Sequence, residues 1–243
     1  MNKDQTKLSR LVHSKIIAEV AEEALAPLGI FQKGRSRTWI DDRGWWIGVI
    51  EFQPSGFSKG SYLNVGAMWL WHEKEDFTFD AGDRIAKFVA YTDEEQFRPE
   101  IIKLASAAKA QALRLRSQFA SIHDAARYLP GQARRDENRW TELHGAIALG
   151  YVGKTSRAQW LFNRIEGRKV TQEWEHLVRE KARGFSETLD RPADFRRYVK
   201  ETIWRTRNLL ELPERTELDI DRDDGGLSHR WKSRLMAWRA TIR

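Results

Sequence analysis

Residues 31–72 read FQKGRSRTWIDDRGWWIGVIEFQPSGFSKGSYLNVGAMWLWH, and they hold five of the eleven tryptophans (Trp39, Trp45, Trp46, Trp69 and Trp71). The stretch reads as three strands. Phe31 to Ile40 is the first, and Asp41-Asp42-Arg43-Gly44 is a hairpin turn, because glycine takes the positive φ that tight turns need. Trp45 to Gln53 is the second strand, and Pro54 to Gly60 is a looser connection. The third strand runs from Tyr62 to Trp71. Leu63, Val65, Ala67, Trp69 and Trp71 alternate onto one face and should meet the core. Tyr62, Asn64, Gly66, Met68, Leu70 and His72 make a mixed face, as in a sheet covered on one side. Phe77 to Phe79 or Arg84 to Tyr91 is expected to add an edge strand.

Helical periodicity flanks this sheet. Upstream, Leu8, Leu11, Val12, Ile16, Val20 and Leu25 recur near a 3.6-residue period over 6–28, ended by Pro27 and Gly29. Downstream, Thr92 and Glu95 fit a capping box. Pro99 suits a helix start, which places the beginning of that helix near Arg98. Ile101, Ile102, Leu104, Ala105, Ala108, Ala112, Leu115 and Phe119 should line its inner side. Further helices are expected from Ser121 to Leu129-Pro130-Gly131, over Trp140 to Val152, over Ser156 to Ile165, over Thr171 to Arg183 ended by Gly184, and from Pro192 to Leu212. Glu214 to Gly226 reads as a solvated acidic linker, and Ser228 as the cap of a last helix to Arg243. The expected class is therefore α+β: a small antiparallel sheet with an N-terminal helix over 1–95, then an all-helical part over 96–243.

Bulk properties bound the function. The chain has 243 residues and 41% hydrophobic content, enough for a real core. Its polar start, MNKDQTKLSR, argues against a secretory signal, and no apolar run approaches the roughly 18 residues of a membrane span. Cysteine is absent, which excludes disulfides, thiolate zinc sites and thiol catalysis. A cytoplasmic location is the expectation. Charge is unequal: residues 1–95 carry 12 Lys/Arg against 15 Asp/Glu, and residues 96–243 carry 30 against 20, so −3 and +10 sum to the net +7. Such asymmetry suits a surface for nucleic acid or an acidic partner, but the favoured expectation is a set of solvated helix faces paired internally with Glu.

Pro27-Leu28-Gly29-Ile30-Phe31, then Lys33-Gly34 with Trp39, then Asn64-Val65-Gly66, resembles a bacterial α+β domain family of unknown function, within residues 10–92. The resemblance implies a compact α+β fold and no reaction. Trp140-x-x-Leu143 and Ala158-x-x-x-Phe162, with Ile165, are similar to a tetratricopeptide-like helical hairpin over 138–167, and no second copy follows.

Motifs with apparent chemistry mostly dissolve on inspection. Gly150-Tyr151-Val152-Gly153-Lys154-Thr155 imitates a phosphate-binding loop, but the first glycine position is Ala148 and the preceding segment is helical. Asp219 to Gly225 imitates a calcium loop, with Asp224 and Arg230 at the positions that need Gly and Glu. The six histidines form no helical metal pair, and no nucleophile elbow occurs. No cofactor, metal ligand set or catalytic set is read. His72, beside Glu73 and Glu75 at a strand end, is a candidate base for a hydrolase.

The remaining candidates bind. On a strand, Trp45 and Trp46 must face opposite ways, so Trp46 with Lys33, Arg35 and Arg37 would form an aromatic-basic patch suited to nucleic-acid stacking. Over Phe195 to Leu210, Tyr198, Val199, Ile203, Leu209 and Leu210 should face inward, and Arg196, Arg197, Lys200, Arg205 and Arg207 outward. Trp231, Leu235, Trp238 and Ile242 form one stripe ringed by Arg230, Lys232, Arg234, Arg239 and Arg243. The favoured expectation is a non-enzymatic adaptor that meets another protein through its helical half. Sequence-independent nucleic-acid binding by the basic C-terminal helices is the second, and a hydrolase at His72 the third.

Overall fold

A computed structural model describes residues 3–135 and 138–221. The element order is α1 (Lys3–Leu25), a 3-10 turn (Ala26–Leu28), β1 (Phe31–Gln32), β2 (Thr38–Asp42), β3 (Trp46–Glu51), β4 (Gly60–Trp69) and β5 (Ala81–Ala90), followed by six helices. These are α2 (Glu94–Gln118), α3 (Ile122–Arg135), α4 (Arg139–Tyr151), α5 (Thr155–Gly167), α6 (Trp174–Ser186) and α7 (Pro192–Leu209). The five strands form one antiparallel sheet in the order β1-β2-β3-β4-β5. The α+β class expected from sequence is the class observed, and the edge strand is β5.

The hairpin after β2 shows why the tryptophan-rich stretch folds as it does. Gly44 takes φ +83°, Asp42 Oδ1 accepts the Gly44 N–H at 2.9 Å, and Arg43 N–H bonds Trp46 carbonyl at 3.0 Å. Trp45 therefore belongs to the turn, and strand alternation begins only at Trp46. Both indoles end up buried, at 2% and 1% exposure. Trp45, Trp69 and Trp71 lie nearly parallel, with ring centroids 5.3–5.8 Å apart. Trp46 and Trp69 meet the edge of Phe119 just after α2. The expected outward tryptophan is thus a core residue.

The sheet is covered more fully than alternation implied. One face carries Trp39, Trp46, Ile50, Val65, Ala67 and Trp69, all buried. Helix α2 packs on β3, β4 and β5 and also on α1, so it shares a core with the strands across the 95/96 boundary. The other face divides lengthwise. At one end Ile40, Ile47, Val49, Met68 and Leu70 are buried too. There Thr78 N–H meets Met68 Sδ at 3.4 Å, and Arg207 of α7 reaches Asp42. At the other end Glu51, Gln53, Asn64 and Arg84 form a hydrogen-bonded polar patch.

Several helix boundaries differ from expectation. Asp93, not Thr92, caps α2 by accepting the Gln96 N–H, so Pro99 lies inside the helix and Ile102 is half exposed. Helix α3 continues through Pro130 to Arg135, and α6 runs through Gly184 to Ser186. The α4–α5 corner falls where sequence placed it, with Gly153 at φ +76° and Lys154 N–H on Leu149 carbonyl. A helix precedes Gly153, so the nucleotide-loop imitation is a helical corner. Helix α4 packs against α3, α5, α6 and α7 and is buried along nearly its whole length, with Arg139, Glu142 and His144 buried among its apolar residues. After α7, residues 210–221 return across the sheet. Leu218 and Ile220 are buried there, and the Leu218 carbonyl presses on Gly44. The described part of the expected linker is thus pinned by Leu218 and Ile220 while Glu214, Thr216, Glu217 and Asp221 stay exposed, and residues 222–226 lie outside the described residues.

Candidate functional site

His72 lies three residues past the end of β4, the strand expected to reach Trp71, and it faces inward at 6% exposure, with its ring 4.2 Å from Trp140. Neither ring nitrogen has a hydrogen-bond partner among the described residues. Burial, reinforced by Lys74 and His144, pushes its pKa down to about 3. Its neighbours come from far along the chain. His144 of α4 accepts the Trp71 indole N–H on Nδ1 at 3.1 Å. That bond fixes the neutral ring with its proton on Nε2, 3.9 Å from Asp80 Oδ1. Burial holds the His144 pKa near 4, opposed by Asp80 and aided by Lys74. Asp80 takes Lys74 Nζ at 2.6 and 2.8 Å, the Thr78 hydroxyl at 3.2 Å and the Trp69 N–H at 2.8 Å. Burial raises the Asp80 carboxyl, and Lys74 with these bonds brings it below its ordinary value. The result is two neutral imidazoles beside a closed Lys–Asp pair, a seam joining the sheet to α4. No sequence spacing announces it, because His72, Asp80 and His144 sit on different segments.

The basic residues of α7 are occupied. Arg196 donates to the Tyr151 carbonyl at 3.0 Å, and Arg197 binds Asp194 at 2.7 Å. Lys200 pairs with Asp221 and Arg205 with Glu73. Arg207 is not outward at all: it is 2% exposed and grips Asp42 through two 2.8 Å bonds. Leu209, expected inside, is 44% exposed. The buried face of the helix runs Phe195, Val199, Ile203, Arg207 and Leu210 at regular helical spacing, which sends Leu209 outward and puts Arg207 among the inward residues. Arg230, Lys232, Arg234 and Arg239 lie outside the described residues. Trp46 is buried, so the patch expected with Lys33, Arg35 and Arg37 does not assemble around it. Lys33 Nζ instead binds the Leu210 and Glu211 carbonyls at 2.8 and 3.0 Å, and Arg35 is exposed. Arg37 is half-buried against α1, donating to His13 Nε2 at 2.6 Å, Ser14 Oγ at 2.8 Å and the Gly60 carbonyl at 3.1 Å.

Pairing extends through the helical half. Glu142, fully buried, meets Arg164 at 2.7 Å and Arg168 at 3.0 Å, Glu166 meets Arg179 and Arg183, and Arg116 meets Asp41 at 2.8 Å. Arg134 and Arg157, like Lys109, Arg114, Arg135, Lys154 and Lys169, are exposed and have no carboxylate partner among the described residues. Arg134 and Arg157 rim a groove of about 200 Å³ between α3 and α5, floored by Pro130, Leu149 and Leu161 and walled by Trp160. Trp160 is half exposed. Arg164, one helical turn on, lies over its ring at 4.8 Å while anchored to Glu142, so one face of the indole is already covered. The close approach behind the groove uses Gly145 of α4: a Cβ there would sit 3.3 Å from Leu161 Cδ1 and 3.4 Å from Pro130 N. Sequence reasoning missed this groove because it read Pro130 as a helix end. The exposed indole on an otherwise charged helical turn was the available signal.

Asp219 and Asp221 of the calcium-loop imitation are tied to Arg215 and Lys200. No group of three His, Asp or Glu among the described residues is arranged to hold a metal ion, and no described helix is long and apolar enough to cross a membrane. Comparison of the chain with protein-family models, with curated proteins and with solved structures finds no match.

Proposed function

We propose that the protein is a non-enzymatic adaptor that engages another protein through its helical half, taking an acidic segment with one large apolar side chain into the α3–α5 groove. The observation that carries this reading is a half-exposed tryptophan walling an apolar groove whose two rim arginines have no carboxylate partner among the described residues. Apolar floor and rim guanidinia together ask for an apolar anchor flanked by carboxylates. Arg164 over the indole disfavours base stacking on that face, so the groove fits a peptide better than a single-stranded nucleic acid.

The test is binding of fluorescent peptides that carry one Leu or Phe among Asp and Glu, with labelled single-stranded DNA as a second arm at two salt concentrations. Acidic-apolar peptides should bind. Trp160→Ala and the pair Arg134→Glu with Arg157→Glu should each weaken them by about ten-fold or more, as for an interface anchor. Failure of every such peptide to bind overturns the reading. So does DNA binding that falls steeply with salt and is lost in the same variants.

A further inference from the structure

A second, independent feature lies on the opposite side of the sheet's N-terminal helix. His13, Ser14, Arg37 and the loop Pro54–Gly60 enclose a cleft of about 380 Å³. No carboxylate of the described residues lines it. Among the described residues Arg37 is held by neutral acceptors alone, which use three of its five N–H donors. Arginine only donates, so His13 Nε2 must accept, and that imidazole is neutral in this arrangement. The hydroxyls around the guanidinium are used as acceptors. Ser14 Oγ takes an Arg37 N–H, and Ser55 Oγ takes the Phe57 and Ser58 N–H groups at 3.1 and 3.4 Å. Each keeps its own proton to give. Lys59 adds a second positive charge to the lining, and Phe57, fully exposed, stands at the loop tip.

A half-buried guanidinium without a counter-carboxylate is costly, because burial disfavours its charge; burial is what lowers its pKa here. An anion in the cleft would offset that cost. We propose that this cleft is a site for the phosphate group of a small phosphorylated ligand, held by Arg37 with the Ser14 and Ser55 hydroxyls and Lys59. A tetrahedral oxyanion has acceptor oxygens enough for donors spread around a cleft, whereas a planar carboxylate serves fewer of them.

The experiment is a titration of the full chain with inorganic phosphate, and separately with phenyl phosphate, followed by backbone amide NMR. Acetate and chloride at matched ionic strength serve as comparisons. Phosphate should shift the Ser55–Gly60 amides in a saturable way, and tighter binding of phenyl phosphate would identify a phosphate ester rather than the free ion as the better occupant. Arg37→Met should weaken phosphate by about ten-fold or more, the loss of a charge-assisted contact. Arg127→Ala on α3 should leave affinity unchanged. Should Arg37→Met fail to fold, Ser55→Ala and the amide shifts of the unaltered chain still decide the matter. Absence of saturable shifts at Ser55–Gly60, equal shifts with acetate or chloride, or unaltered affinity in the folded Arg37 or Ser55 variants overturns the proposal.

Discussion

Asp41 and Asp42 are neighbours on β2, and alternation sends them to opposite faces of the sheet. Asp41 meets Arg116 of α2 on one face, and Asp42 meets Arg207 of α7 on the other. Two adjacent carboxylates thus clamp helices from both sides. For Asp42, burial pushes the carboxyl up, and the Arg207 and Gly44 hydrogen bonds bring it below its ordinary value, so it is ionised at neutral pH. Arg207 also donates to the Gly44 and Pro213 carbonyls, which ties the hairpin and the returning segment to the same guanidinium. Removing one partner of a buried pair strands the other charge. Arg207→Met should therefore cost about 3–5 kcal/mol, and adding Asp42→Leu should recover a large part of it. Urea unfolding of the single and double variants checks this, and a single-variant cost below about 1 kcal/mol contradicts a clamp at that site. The sequence pattern could not reveal this role. An arginine on an arginine-rich helix reads as outward until its partner, far back in the chain, is placed beside it.

At the scale of elements, α4 is the axis of the helical half, and Gly150 lets α7 approach it. A Cβ there would lie 2.6 Å from the Phe195 ring and 2.9 Å from Leu189 Cδ1. Gly150→Ala should therefore destabilise by about 1–3 kcal/mol despite the better helix propensity of alanine, the usual cost of overpacking. A lowered urea midpoint in Gly150→Ala, with Gly131→Ala at an open exposed position as comparison, is the measurement; equal midpoints would mean that Phe195 moves aside freely. Helix existence was legible because periods in apolar residues are local: the strands, the α4–α5 corner and the Pro192 start all follow from nearby residues. What was not legible depended on contacts between elements. Pro130 reads as a terminator, yet α3 packs across Gly145 and carries on. Trp45 and Trp46 read as opposite-facing, yet the Gly44 turn takes Trp45 out of the alternation. The groove with Trp160 and the cleft with Arg37 each need segments that sequence leaves apart.

For the whole molecule, most of the described basic residues of 96–221 stand in ion pairs, several with carboxylates of the sheet half, so charge ties the layers together, and the chain's net +7 is the excess of Lys and Arg over all its carboxylates. The seam between the sheet and α4 is different, because its titratable members are neutral. His72 and His144 have pKa values lowered to about 3 and about 4, from an ordinary 6.5. The unfolded chain takes up these two protons as pH falls below about 6.5, and the folded chain does not. The sign follows directly: stability is level in this respect above that pH and declines on acidification. The decline reaches about 1.4 kcal/mol per pH unit for each histidine, hence about 2.7 for the pair. Lys74 and Lys181 near His72 deepen the effect, and Asp80 offsets part of it. Unfolded carboxylates, among them Asp42, Asp80, Asp221 and Glu175 whose folded values are lowered, begin to take up protons only below about pH 5.5, so the window from about pH 6.5 to 5.5 weights the histidines. Urea unfolding across that window should show midpoints falling steadily with pH. His72→Phe and His144→Gln should each remove about half of the slope attributed to the pair, whatever they do to stability at neutral pH. A slope that both variants leave intact would mean that the seam opens to water and protonates in the folded state, and that the sheet and α4 are held together by the Asp80–Lys74 pair and the tryptophan stack alone.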